Sequence, residues 1–211
     1  MPALIIFDID GTLLETERVT VPAVQRTFAA HDLTVPDRDT ICGFFGKPVK
    51  TYEAWLAEQC PPGMAPQIVA ETNALELRLI GGEGRLYDGA RAVLEELHAK
   101  YVLAVCSNGP DDYVNEFLDA HGVRPLLAAV RARGTFYGSK TEMIAEIKGL
   151  NLGRPVIVVG DRHDDIEAAH ANGALAIGAA YGFGGGHELA GADAHIGEIR
   201  ELPAVIGRLL A

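Results

Sequence analysis

The sequence predicts an α/β protein: a doubly wound parallel sheet with a small all-helical domain inserted after the first strand. Three observations carry this. Short, continuously apolar runs recur along the chain, the pattern of strands covered on both faces. Segments with apolar residues at helical spacing lie between them, and one long stretch near the start has helical spacing without a convincing strand. Alternating strands and helices imply parallel crossovers, and ligands of such sheets sit beyond the carboxyl ends of the strands.

The elements follow in order. Leu4–Phe7 is the first strand-length run, followed by Tyr101–Cys106, a weaker candidate at Leu126–Val130, then Val156–Val159 and Leu175–Ile177. Ala90, Val93, Leu94 and Leu97 repeat at helical spacing, as do Val114, Phe117 and Leu118, and then Met143, Ile144 and Ile147. Asp88 is a candidate N-cap for the first of these helices. His121-Gly122 and Lys148-Gly149 place a basic residue and then glycine where helices stop. Between Glu15 and Arg85 the helical positions are Val21, Val24 and Phe28, then Ile68, Val69, Leu75 and Leu79, and Gly81-Gly82-Glu83-Gly84 closes the stretch. The expected division is a core from residues 1–14 and 86–211, with a helical cap domain at 15–85. Phe44, Phe45, Tyr52 and Trp55 have the spacing of a buried cap face, and Gly182-Phe183-Gly184-Gly185-Gly186 reads as a loop.

Composition narrows the function. With 211 residues, 48% hydrophobic and 22% charged, the chain has a globular balance and can bury a core without staples. No run reaches the roughly 18 apolar residues of a membrane span, and Asp8 and Asp10 interrupt the apolar start too early for a signal peptide. A net charge of −11 argues against nucleic acid and anionic lipid as partners. Cys42, Cys60 and Cys106 have neither disulfide-framework nor zinc spacing, and Cys106 sits in an apolar run. A cytoplasmic location and no membrane association are the expectation.

Each strand end in the core delivers a distinct polar group. The first ends in Phe7-Asp8-Ile9-Asp10-Gly11-Thr12-Leu13, two carboxylates two residues apart. The second ends in Ser107-Asn108-Gly109, a hydroxyl with backbone N–H groups able to hold a phosphoryl oxygen. Lys140 follows the next candidate strand and supplies a point charge; Gly160-Asp161-Arg162-His163-Asp164-Asp165 puts acids at the mouth of a helix. Taken singly, these are turn, cap and surface residues. Together, in this order, they offer a nucleophile, an anchor, a cation and metal ligands.

With these residues the chain resembles the haloacid-dehalogenase-like hydrolase superfamily over essentially its whole length. Asp8-Ile9-Asp10-Gly11-Thr12-Leu13 resembles its first motif, Ser107 its second, Lys140 its third, and Gly160-Asp161 with Asp165 its fourth. The insert is similar to the helical cap of the branch that includes phosphoglycolate phosphatases, and Gly46-Lys47-Pro48, Leu86-Tyr87-Asp88-Gly89 and Tyr181-Gly182-Phe183-Gly184 also resemble segments of that group. The resemblance implies a Rossmann-like core and a magnesium-dependent phosphatase acting on a small phosphorylated metabolite, with phosphoglycolate the first substrate it suggests. Asp8 would attack phosphorus and form an aspartyl-phosphate, and Asp10, with a raised pKa, would protonate the leaving alcohol and then activate water. Ser107, the Asn108 N–H and Lys140 would hold the phosphoryl oxygens. The implied magnesium shell is Asp8, the Asp10 backbone carbonyl and Asp161, with Asp165 as ligand or orienting residue.

Alternatives stay open at this level. An acid at Asp10 points away from carbon–halogen cleavage and toward phosphoryl chemistry. Lys47 and Lys50 keep a Schiff-base phosphonate hydrolase in view, and an aspartyl-phosphate also serves a sugar-phosphate mutase. A non-catalytic metabolite- or protein-binding module is the rival from outside enzymes. In the cap, Lys47 beside Phe44-Phe45 is the candidate specificity residue for a substrate anion. Arg162 and His163 are poor magnesium ligands, while His170 and Asn172 finish a helix before Gly173. A monomer or a homodimer fits the sequence equally well.

Overall fold

A computed structural model describes residues 1–134 and 138–211. Strand β1 (Leu4–Phe7) is followed by four helices, α1 (Glu17–Ala30), α2 (Arg38–Cys42), α3 (Val49–Glu58) and α4 (Ala65–Gly82). The remainder alternates: α5 (Ala90–His98), β2 (Val102–Ser107), α6 (Asp111–Ala120), β3 (Ala129–Ala132), α7 (Lys140–Gly149), β4 (Val156–Gly160), α8 (His163–Ala171), β5 (Leu175–Ala179), β6 (Ala194–Ile196) and α9 (Leu202–Leu209). The sheet order is β3-β2-β1-β4-β5-β6, and every pairing is parallel. The chain winds outward from β1 in both directions, so the switch point lies between β1 and β4.

The unbroken apolarity of the strands has a simple cause. Side chains alternate across a strand, and both faces are covered. Ile5, Phe7, Leu103, Val105, Ile157 and Val159 enter one core with α5, α6 and α9, whereas Leu4, Ile6, Ala104, Cys106, Val156 and Val158 enter another with α7 and α8. Fully buried side chains of this size each contribute roughly 1.5–3 kcal/mol. The insert has its own cluster, in which Val24, Phe28, Ile41, Leu56 and Ile68 are wholly buried. Phe45 and Tyr52 are buried there too, with Phe44 and Trp55 stacked at 4.5 Å on its margin.

Several expectations need adjustment. The third strand is Ala129–Ala132, because Arg124–Leu126 forms a 3-10 turn instead. Asp88 does not cap α5: the N-cap is Gly89 at φ +86°, and the Asp88 carboxylate pairs with Arg200 at 2.7 Å. Helix α4 runs into the glycine cluster expected to close the insert, with Gly81 and Gly82 as its last residues. Helix α7 continues through Gly149 to a C-cap at Leu150, whereas α6 does stop at His121 with Gly122 at φ +62°. Strand β6 and helix α9 extend the sheet and its cover beyond the expected elements.

Candidate active site

The parallel register brings the carboxyl ends of β1, β2 and β4 level, and the polar residues that follow them converge. Asp8, Ser107, Asn108, Lys140, Asp161 and Asp165 are all buried. Lys140 opens α7, a position that would ordinarily leave a lysine in water, yet it is only 4% exposed. Its ammonium donates to Asp8 Oδ1 at 2.8 Å and to Asp165 Oδ1 at 2.6 Å. These paired acids hold the Lys140 pKa well above its ordinary value against the opposing effect of burial.

Burial pushes the Asp8, Asp161 and Asp165 carboxyls up to about 7, with Lys140 pulling each of them back. Carboxylate oxygens of the three lie within 4.8 Å of one another. Asp8 Oδ2 and Asp161 Oδ1 are buried and accept no hydrogen bond among the described residues. Buried carboxylate oxygens without donors are costly unless a cation meets them, and an all-oxygen set suits magnesium. The residues therefore fit a hard divalent ion. Arg162 and His163 turn away from this cluster, pairing with Glu188 at 2.9 Å and Glu167 at 3.1 Å. Asp165 has a second duty, since its Oδ2 accepts the Arg162 N–H at 3.1 Å and so braces the start of α8.

The Asp10 carboxyl points elsewhere. Thr16 Oγ1 and the Tyr113 hydroxyl both donate to its Oδ1, at 2.9 and 2.6 Å. Burial raises its pKa, while these two donors act in the opposite direction. Its carboxyl is thus outside the three-acid cluster, leaving only its backbone carbonyl for the ligand role the sequence suggested. Tyr113 and Thr16 were not legible as site residues, because their bond depends on where α6 and α1 begin. Gly11 lets the turn after β1 lie against the acids: it has φ +78°, and a Cβ there would collide with the Asp161 carboxylate.

Ser107 Oγ accepts the Gly109 N–H at 3.0 Å, which fixes the turn after β2. Asn108 spends its side chain on structure. Its amide donates to Gly46 O at 2.8 Å and Asp164 Oδ2 at 2.7 Å, and its Oδ1 accepts from Arg133 at 3.0 Å. Phe183 N–H donates to Asp161 Oδ2 at 2.6 Å, and its ring meets Phe45 edge-on at 4.7 Å. The loop following β5 therefore touches both the acids and the insert.

A cavity of about 260 Å³ opens between these residues and the helical insert. Asp8, Asp10, Asn108 and Tyr113 line its core side, and Thr20, Phe45, Lys47, Tyr52 and Glu76 its insert side. Lys47 is exposed, with its ammonium 4.9 Å from the centre of the Phe44 ring.

The geometry thus gathers, at one end of the sheet, a buried aspartate bound to lysine, a second acid on the same strand end and a carboxylate cluster behind. Residues 5–179 match the haloacid dehalogenase-like hydrolase family, and the chain belongs to that family. It is 27% identical over 203 residues to a phosphoglycolate phosphatase of Vibrio cholerae, covering 90% of this chain and 89% of that protein. It is 30% identical to the phosphoglycolate phosphatase of Aliivibrio fischeri, with 88% and 87% covered. The crystal structure of CbbY from Rhodobacter sphaeroides in complex with phosphate superposes with a TM-score of 0.77 at 25% identity, covering 96% of each chain.

Proposed function

We propose that this protein is a magnesium-dependent phosphatase that hydrolyses a small phosphomonoester through a phosphorylated Asp8. The observation that carries the reading is Asp8 itself: one oxygen is held by Lys140 and the other is buried without a partner beside Asp161. In the first half-reaction that free oxygen bonds to phosphorus as the bond from phosphorus to the substrate's alcohol oxygen breaks. Asp10 gives its proton to the departing oxygen. Both donors to Asp10 fall on Oδ1, which leaves Oδ2 to carry that proton. In the second half-reaction water bonds to phosphorus, Asp10 takes a proton from it, and the Asp8 carboxylate is released with inorganic phosphate.

Ser107, the Asn108 backbone N–H and Lys140 hold the phosphoryl oxygens in this scheme. Magnesium would be held by Asp8, Asp161 and Asp165 with the Asp10 backbone carbonyl. When bound, it supplies positive charge for the phosphoryl group and for the buried carboxylates. The helical insert, residues 15–85, acts as a cap over the core formed by 1–14 and 86–211, and its side chains meet the leaving alcohol. Lys47 is exposed on Phe44 and lacks the apolar enclosure that activates an amine for Schiff-base chemistry, which favours hydrolysis over phosphonate cleavage. A reducing, cytoplasmic setting belongs to this reading, supported by three free cysteines.

Phosphate release from a panel of phosphomonoesters, phosphoglycolate among them, tests the proposal. Expected is release that requires magnesium, is abolished by EDTA, and falls roughly 10⁴-fold or more in Asp8→Asn. Release that persists in Asp8→Asn refutes the nucleophile assignment. Return of the phosphoryl group to a second sugar phosphate, without free phosphate, would make the protein a mutase.

A further inference from the structure

The cavity has two unlike halves. The inner half is the phosphoryl site described above. The outer half is walled by α1, α3 and α4, which bring Thr20, Tyr52, Glu53, Asn73 and Glu76 to its surface. Glu76 is buried and its carboxyl accepts the Thr20 hydroxyl. Glu53, half-buried, accepts the Asn73 amide at 2.8 Å. Tyr52 is only 8% exposed, and its hydroxyl has no hydrogen-bond partner among the described residues. Tyr52, Glu53 and Glu76 line the same space, and burial, with the two glutamates adding to it, holds the phenol un-ionised.

Charge is unevenly placed around that space. Lys47 and Asp112 also line the cavity, but both are exposed, opposite in sign and screened by water. No buried cation faces Glu76 or Glu53 among the described residues, since Lys140 is bound to Asp8 and Asp165. Above pH 7, where Glu76 is ionised, a leaving group ending in a carboxylate would meet two carboxylates, with the Tyr52 O–H as a donor on their margin. One bearing donors would find two carboxylate acceptors and a phenolic oxygen able to accept as well. The volume, about 260 Å³, suits a small metabolite rather than a protein segment.

Resting on the phosphatase reading, we infer that Glu76, Tyr52 and Thr20 determine specificity, and that the favoured substrate is a phosphomonoester of an amino or polyhydroxy alcohol. Its N–H or O–H donors engage the outer half of the cavity. A carboxylate-bearing alcohol such as glycolate is disfavoured there, and Lys47 at the exposed rim does not reverse the preference.

The test compares kcat/KM of the full-length protein with magnesium on phosphoethanolamine, glycerol 3-phosphate and phosphoglycolate. Expected is a preference of tenfold or more for at least one of the first two over phosphoglycolate. Glu76→Gln and, separately, Tyr52→Phe should each cut that preference roughly tenfold, chiefly through KM. A loss in Glu76→Gln confined to phosphoethanolamine identifies the ammonium as the recognised donor, a loss confined to glycerol 3-phosphate identifies the hydroxyls, and an equal loss on both means that either donor engages Glu76. Phosphoglycolate as the best of the three, or variants that slow all three equally, overturns the inference while leaving the phosphatase intact. If none is hydrolysed, calorimetric binding to Asp8→Asn decides. The same order of affinities upholds the recognition and refutes the hydrolysis, and no binding overturns both.

Discussion

Glu76 couples the cavity to stability in a way that a pH series can read. Its carboxyl is buried between α1 and α4, and burial, reinforced by the charges of Asp10 and Asp112, pushes its pKa from 4.5 up to about 7; only the Thr20 hydroxyl opposes this. Below pH 4.5 the carboxyl is protonated in both folded and unfolded chains, and its neutral form is fully stabilising. Between 4.5 and about 7 the unfolded chain has lost the proton while the folded one keeps it, so unfolding releases a proton and stability falls as pH rises. Each pH unit costs about 1.4 kcal/mol, and the interval of two and a half units amounts to about 3 kcal/mol. Above the folded pKa the loss is complete and the curve is flat again. Glu76→Gln keeps an acceptor for Thr20 and never titrates. Urea unfolding of both proteins from pH 4.5 to 8, in EDTA, isolates the effect, because Asp8, Asp161 and Asp165 are common to both. The stability of wild type relative to Glu76→Gln should fall by about 3 kcal/mol across that range, or roughly 6–12 °C in Tm. Parallel pH profiles would refute the reasoning, since they would mean that water reaches Glu76 freely and that the outer half of the cavity is not a low-dielectric enclosure.

Two further substitutions address the acids to which the proposed function gives catalytic roles. Tyr113→Phe removes the 2.6 Å bond to Asp10 without opening a cavity, and should lower kcat roughly 10- to 100-fold with KM little changed, as steady-state kinetics would show. A proportionate rise in KM would instead place Tyr113 in substrate binding. Lys140→Met keeps the length of the side chain but strands Asp8 and Asp165 without their cation. Loss of activity together with a destabilisation of roughly 3–5 kcal/mol in denaturant titration is expected. A variant as stable as wild type would mean that the two carboxyls are accommodated as neutral acids.

The core strands and the acids at their ends were legible because each signal is local. Val156–Gly160 is a run that only a doubly covered strand explains, and Asp161 must follow wherever that strand ends. Lys140 was legible as chemistry only in combination: alone it is the first residue of a helix, and its burial follows from the way α7 is laid on the sheet. The short edge strand Ala194–Ile196 was not legible, since its three residues include one exposed histidine. The support of Asp10 was hidden for a different reason. Thr16 and Tyr113 are 97 residues apart, 16 to 113, and meet only because α1 and α6 start beside the same strand ends. Glu76 was equally silent, for α4 also carries Glu71 on an exposed face, and nothing in the spacing distinguishes the glutamate turned inward.

In the proposed function, the structure links the insert to the acid site. The loop before α3 is tied to the core at two points of the site. Gly46, at φ +74° and close against Arg162, offers its carbonyl to the Asn108 amide, whose remaining bonds reach Asp164 and Arg133. Its neighbour Phe45 packs on Phe183, whose N–H holds the Asp161 carboxylate that is left with one unpartnered oxygen. A side chain at Gly46 would meet both a collision with Arg162 and an unfavourable backbone conformation, so this junction admits little variation. A shift of α3 would therefore carry Tyr52 with it and, through Asn108 and Phe183, bear on the turn after β2 and the acid cluster together. Under the phosphatase proposal, an insert attached in this way cannot shift without shifting the groups that act on phosphorus, so disturbing the Gly46 junction should lower kcat, whereas loss of a single contact at Glu76 acts chiefly through KM.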